Sequence, residues 1–281
     1  MSETRTTATP RSGGIRAGRR LPIVAGPVTA LLPWVVPVVL VLAWQWAATT
    51  GAVDATILPP PSKVLATARS LWSDGELPRY LLASVRRVAI GFGIGAAIGL
   101  VLGFAVGLSR IAEALVDRSV QMLRAVPHLA VVPLLIAAFG IGELPKIVLV
   151  AVGVLFPVYL NTVAGIRAVD PKLVQLGRSY GLRTPGLIRE IVVPGAMPMI
   201  LTGIRYALGV AWLTLVVGET IATSDGIGYL AQNGRDLLRN DRIVLAILLY
   251  ALAGLIADQL VRLLERRVLR WNVNYRKDIG R

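Results

Sequence analysis

VAIGFGIGAAIGLVLGFAVGL, residues Val88–Leu108, contains no charged side chain. At about 1.5 Å per residue this run makes a helix of roughly 30 Å, the thickness of a bilayer's hydrocarbon core. Its glycines fall at Gly91, Gly95, Gly99, Gly103 and Gly107, each four apart. A step of four turns a helix by about 40° beyond a full turn, so the five form one slanted ridge without side chains. In lipid, where apolar burial does little to drive helices together, such a ridge lets two backbones pack closely. Gly91 and Gly93 do not make a nucleotide loop, because no strand precedes them. Five more apolar runs of similar length follow outward from this one: Val28–Ala48, Ser119–Phe139, Ile147–Ile166, Met199–Val217 and Ile243–Leu263. The third span of the six, Ser119–Phe139, is interrupted by Arg124, Pro127, His128 and Pro133. The predicted fold is therefore all-α: a polytopic membrane protein with six transmembrane helices.

Composition agrees. Of 281 residues 55% are hydrophobic and only 16% charged, against about 25% charged in a soluble domain. There is no cysteine and one histidine, His128, which excludes disulfide frameworks, thiolate metal sites and cysteine nucleophiles and predicts no metal site. The net charge of +14 is explained by where the basic residues lie. Residues 1–26, 109–127, 166–196 and 262–281 share a side if the spans are six, and hold 20 of the 30 lysines and arginines. The opposite loops hold 9, and Arg205 lies within the fifth span. The positive-inside rule then predicts both termini in the cytoplasm. No aromatic-interleaved basic face appears, so no nucleic-acid partner is predicted. Arg19-Arg20 invites a twin-arginine reading, but the apolar run after it exceeds the roughly 7–15 residues of a signal sequence. The first span reads as a retained anchor, behind a disordered basic tail over residues 1–26.

Few ionisable groups fall inside the spans. Arg205 reads as an anchor near the cytoplasmic interface, and Asp258 and Arg262, four apart, read as a helix pair. Pro127, Pro133 and Pro157 are expected to kink or break helices. Glu219 follows the fifth span, either as a solvated helix end at the outer mouth or in contact with a solute. Arg86 and Arg87 are placed to steer an anion from outside or to sit among headgroups. Without a chain of buried carboxylates a proton-coupled carrier is disfavoured, and an intramembrane enzyme lacks the parts for a nucleophile or metal centre.

Between the fourth and fifth spans lies DPKLVQLGRSYGLRTPGLIREIVVPGAMPM, residues 170–199, too polar to span. Lys172–Tyr180 predicts a short helix ended by Gly181. A second predicted helix begins near Pro185, with Leu187, Ile188 and Ile191 on one face, and is expected to stop at Pro194. Two such helices on the basic side form a docking knob for a soluble partner or an interfacial helix on anionic lipid.

This segment resembles the cytoplasmic loop of ABC importer permeases, whose pattern is E-A-A, three residues, G, nine residues, I, one residue, L-P. The chain has Gln175-Leu176-Gly177, then Gly181, Ile191, and Val193-Pro194 at the same spacing. It departs from the pattern at the first three positions and at Val193, and loses the carboxylate at 175. ILPPPSKVLAT (57–67), ASVRRVAIGFGIG (83–95), GIGYL (226–230) and LLERRVLRW (263–271) are similar to recurring stretches of the aliphatic sulfonate, taurine and nitrate group. The resemblance implies a permease domain over 27–270 with a coupling loop at 169–196, and a cytoplasmic tail at 271–281. It implies a subunit of the bacterial cytoplasmic membrane that forms a homodimer in lipid. Two ATP-binding cassette subunits would dock on the coupling loops, and an extracytoplasmic binding protein would deliver the solute and hold most of the specificity. The chain has no phosphate loop, so ATP and Mg would be bound by the partner ATPase, with no cofactor or catalytic residue in this chain. Spans three to five would line the path, with Pro127, His128, Asn161 and Glu219 as candidate pathway residues. The solute expected is an aliphatic sulfonate, with taurine, nitrate or another small solute as alternatives, and a secondary carrier as the alternative class.

Overall fold

A computed structural model of the chain describes residues 27–221 and 223–271, which are helical apart from short connections. The basic tail, Arg19-Arg20 and residues 272–281 lie outside the described residues. The helices are α1 (Pro27–Thr49), α2 (Pro61–Ser73), α3 (Glu76–Leu108), α4 (Arg110–Ala125), α5 (His128–Phe139), α6 (Glu143–Arg167), α7 (Pro171–Ser179), α8 (Thr184–Thr220), α9 (Ile227–Asp236) and α10 (Asn240–Val268). Residues 1–44 and 45–281 form two units. The described part of the first is an apolar stretch of α1 with Pro33 and Pro37 inside it and no charged residue.

In the second unit α6 is the central element, packed between α3 and α8. Val88 and Ala96 of α3, Val150, Val154 and Val158 of α6, and Ala207, Ala211 and Leu215 of α8 make one buried cluster. The glycine ridge of α3 lies along α6. A Cβ on Gly99 would stand 2.7 Å from the Leu155 carbonyl, and one on Gly103 would stand 2.6 Å from Thr162 Cβ. Gly91, Gly95 and Gly107 meet Ile147, Ala151 and Ile166 in the same way. Contact between backbones at this range forgoes side-chain burial but gains dispersion along the whole seam, which is what holds helices together in lipid.

Several boundaries differ from the expected ones. Among the described residues five helices are long and apolar enough to cross a membrane: α1, α3, α6, α8 and α10. The expected third span, Ser119–Phe139, is two helices, α4 and α5, bent by 80°, and it completes a count of six only if the bent pair is one span. The cause is Pro127. The residue before a proline is pushed out of the helical region, and Val126 is extended at φ −74°, ψ 123°. Pro133 breaks nothing, since it sits in the first turn of the α-helical part of α5, where its missing N–H is no loss. Pro157 lies within the continuous α6, and the Asn161 amide donates to its carbonyl at 2.9 Å.

Pro194 does not stop a helix either. α8 runs from Thr184 to Thr220 without a break, through a π turn at Ile188–Val192 in which the Val193 N–H reaches the Ile188 carbonyl. The widened turn relieves the clash a proline ring makes with the preceding turn of an α-helix. The second helix of the 170–199 segment and the fifth span are thus one rod. α3 also begins twelve residues before Val88, at Glu76. It therefore carries Ser84, Arg86 and Arg87 as helical residues.

Candidate transport pathway and coupling surface

Three sites follow one another along the helices. The first is at the end where α6 starts and α8 finishes. There Arg87 and Glu219 are each only 1% exposed. Arg87 Nε and Nη2 donate to the two oxygens of Glu143, both at 2.7 Å. Nη1 donates to Glu219 at 2.6 Å and to the Asp225 carbonyl at 3.0 Å, and Nη2 also meets the Asp225 carboxylate. Five contacts use the five N–H donors of a guanidinium. Glu219 additionally accepts from Tyr250 Oη and from the Gly228 N–H, both at 2.9 Å, and from Ser84 Oγ, which lies 2.7 Å from Oε1. Ser84 in turn accepts from the Ile227 N–H at 2.9 Å. The clasp joins α3, α6, α8, α9 and α10. A charge pair buried this deeply is tolerable because every lone pair and proton has a partner.

Glu219 is consequently neither a solvated helix end nor open to a solute, and it belongs to α8 rather than following it. Arg87 likewise cannot steer an anion; its neighbour Arg86 is exposed. Sequence reasoning missed Ser84, Glu143, Asp225 and Tyr250 as partners. The clue available was that two of the quoted stretches meet here. Ser84 and Arg87 come from 83–95, and the backbone of GIGYL presses on the carboxylate. A Cβ on Gly226 would stand 2.5 Å from both Arg87 Nη1 and Glu219 Oε1.

The second site lies half-way along α6 and α8. A recess of about 290 Å³ is lined by Arg124 from the last turn of α4, His128 beyond the break, Phe156 and Asn161 of α6, and Tyr206 and Val210 of α8. His128 Nε2 is 3.1 Å from Thr214 Oγ1. Of the candidate pathway residues, His128 and Asn161 come together here, Pro127 makes the break that shapes the wall, and Glu219 is elsewhere. Arg124, counted above with the basic side, sits instead beside Pro157 and Asn161. Arg205 of α8 is paired with the buried Glu265 of α10 at 3.4 Å, and Arg262 with Asp258 at 2.7 Å.

The third site is at the Arg167 end. Asp170 caps α7 by accepting from the Lys172 N–H at 2.8 Å. Gly181, at φ +81°, closes it with paired bonds, Leu182 N–H to Gly177 at 3.0 Å and Gly181 N–H to Arg178 at 2.9 Å. Leu182, Leu187 and Ile191 pack over Gly177, so this position takes a small residue. Leu173, Leu176 and Tyr180, spaced for one helix face, are exposed, Tyr180 by 82%. They border an open groove of about 440 Å³ with Ile191, Pro194 and Trp271. Gln175 is exposed, and Val193 and Pro194 lie where the π turn enters the long part of α8.

Comparison with known proteins accords with this architecture. Residues 95–270 match the family described as binding-protein-dependent transport system inner membrane component. The chain is 51% identical over 243 residues to the aliphatic sulfonates transport permease protein SsuC of Escherichia coli (strain K12), covering 86% of this chain and 92% of that one. It is 43% identical over 239 residues to the protein of the same name from Bacillus subtilis (strain 168), covering 85% and 87%. With the taurine transport system permease protein TauC of Escherichia coli (strain K12) identity is 32%, covering 83% and 87%. In fold it is similar to a chain of an amino acid ABC transporter, with a TM-score of 0.60 at 20% identity, over 72% of this chain and 97% of that one. The chain belongs to the binding-protein-dependent transport system inner membrane components, as the permease subunit of an ABC importer.

Proposed function

We propose that this permease imports small aliphatic sulfonates. The observation that carries the solute class is the high identity to permeases named for aliphatic sulfonates, well above that to the taurine permease. A mid-depth recess with a guanidinium and an apolar wall also supports a short-chain anion. In this reading a second copy of the chain completes the pathway, supported by an exposed apolar stripe on α4 at Ile111, Leu115 and Met122. An extracytoplasmic binding protein delivers the solute to the end that carries the clasp. The chain ends lie in the cytoplasm, supported by the basic residues near them. The segment 169–196 is the surface on which two ATPase subunits dock, supported by the exposed Leu173, Leu176 and Tyr180, and those subunits hold ATP and Mg. Because α8 is one rod from Thr184 to Thr220, a push on α7 moves the pathway wall directly. The rod responds to ATP only if the ATPase contacts α7 differently in its two states.

Growth tests the reading. A strain lacking this gene should fail to grow on ethanesulfonate as sole sulfur source, grow normally on sulfate, and recover with the gene supplied in trans. Normal growth on ethanesulfonate overturns the solute assignment.

A further inference from the structure

We infer that the mid-depth recess is a solute-binding site within the permease itself, and that Arg124 is the residue that recognises the anion there. The inference rests on the sulfonate reading and adds to it a second point of selection, inside the membrane.

Arg124 is exposed and faces the recess beside Pro157 and Asn161, from the middle of α6, and Tyr206 of α8. An accessible guanidinium at that depth marks a solute pathway unless a partner meets it. Arg87 and Arg205, set inside long helices, are each met by carboxylates. Among the described residues no Asp or Glu comes within 4.0 Å of Arg124, and none lines its recess. The absent partner is an anion brought from outside.

The surroundings define its chemistry. Asn161 uses its amide on the Pro157 carbonyl at 2.9 Å and has a second N–H to give. Tyr206, 66% exposed, adds a hydroxyl. With the planar fork of Arg124 these donors suit a head group carrying several acceptor oxygens on one centre. Phe156, Leu160 and Val210 supply an apolar wall for a short alkyl chain. A volume of about 290 Å³ is at the lower end for small-molecule sites. The ligand class is a short-chain organosulfonate. Arg124 stands in the last turn before the Pro127 break, and His128 beyond it lies 3.1 Å from Thr214 Oγ1.

The test is initial uptake of radiolabelled ethanesulfonate by cells with the complete importer, with the permease in the membrane quantified alongside. Arg124→Gln should lower uptake about tenfold or more at unchanged membrane level, while Arg124→Lys, which keeps the charge but loses the fork, should fall between Arg124→Gln and wild type. The natural chain has no cysteine, so Arg124→Cys carries the only thiol of the permease. Aminoethyl methanethiosulfonate, which restores a cation, should recover its uptake, and the neutral methyl reagent should not. Wild-type uptake by Arg124→Gln, or equal recovery with both reagents, overturns the proposal. Should no Arg124 variant reach the membrane, Tyr206→Phe and Asn161→Ala are read instead. A KM for ethanesulfonate raised about threefold or more sustains the site and an unchanged KM overturns it. If the wild type takes up no alkanesulfonate, the sulfonate reading alone falls. The same variants are then scored with whichever of taurine, nitrate or bicarbonate it does take up, and uptake of none of these overturns both.

Discussion

Gly93 and Gly95 are two positions apart on α3 and respond oppositely to one methyl group. Around a Cβ on Gly93 there is nothing within 4 Å, whereas a Cβ on Gly95 runs into the backbone carbonyl of Ala151 on α6. A carbonyl in a helix cannot swing aside, so the two helices must part. Gly95→Ala should destabilise the solubilised protein by about 1–3 kcal/mol, the usual cost of overpacking. Gly93→Ala should be neutral or stabilise by up to about 1 kcal/mol through helix propensity. Thermal unfolding in detergent checks both, and equal midpoints would contradict the seam. The four-residue spacing that makes the ridge was legible in the sequence. The neighbour it faces was not, because any of the other spans offers an apolar surface.

At the scale of elements, Arg87 and Glu219 join helices that are distant in the chain. Glu219→Gln puts an amide among donors, leaves Arg87 short of a charge partner, and should cost about 3–5 kcal/mol, as expected when one side of a buried pair is removed. Arg87→Met combined with Glu219→Leu should recover much of the loss. Glu143 and Asp225 have side chains 55% and 37% exposed and can turn to water. Membrane yield and unfolding midpoint of Glu219→Gln, of Arg87→Met and Glu219→Leu singly, and of the double read this, and a double variant no more stable than Glu219→Gln would refute it. Sequence reasoning placed Glu219 at the outer mouth, solvated or in contact with a solute, because hydropathy windows end where charge begins. The helices in fact continue past that point, and burial of the charges depends on partners from α3, α6 and α10. The Pro194 stop failed for a related reason. A proline ends an α-helix, but a π turn ahead of it removes the clash, and nothing in the letters IREIV announces one.

For the whole molecule, Gly181 and Leu238 stand at opposite ends of the helices. Each is open, Leu238 being 89% exposed and Gly181 lying on the exposed turn after α7. With cysteine absent from the natural chain, Gly181→Cys and Leu238→Cys can be labelled singly. A membrane-impermeant maleimide added to intact cells should label the cysteine at 238 and spare the one at 181, with the reverse in inside-out vesicles. Labelling of the cysteine at 181 from outside would reverse the proposed orientation and remove the ATPase surface with it. Hydropathy, glycine spacing and the distribution of arginine determined, from sequence by themselves, that this is a helical membrane protein with a polar segment between its fourth and fifth predicted spans. They could do so because lipid demands long apolar helices and charge bias follows local composition. Only the tertiary structure decided which ionisable groups are consumed and which remain free. Arg87 and Arg124 look alike in the chain, but pairing is a matter of distances between helices, and among the described residues the folded bundle brings carboxylates to the first and none to the second.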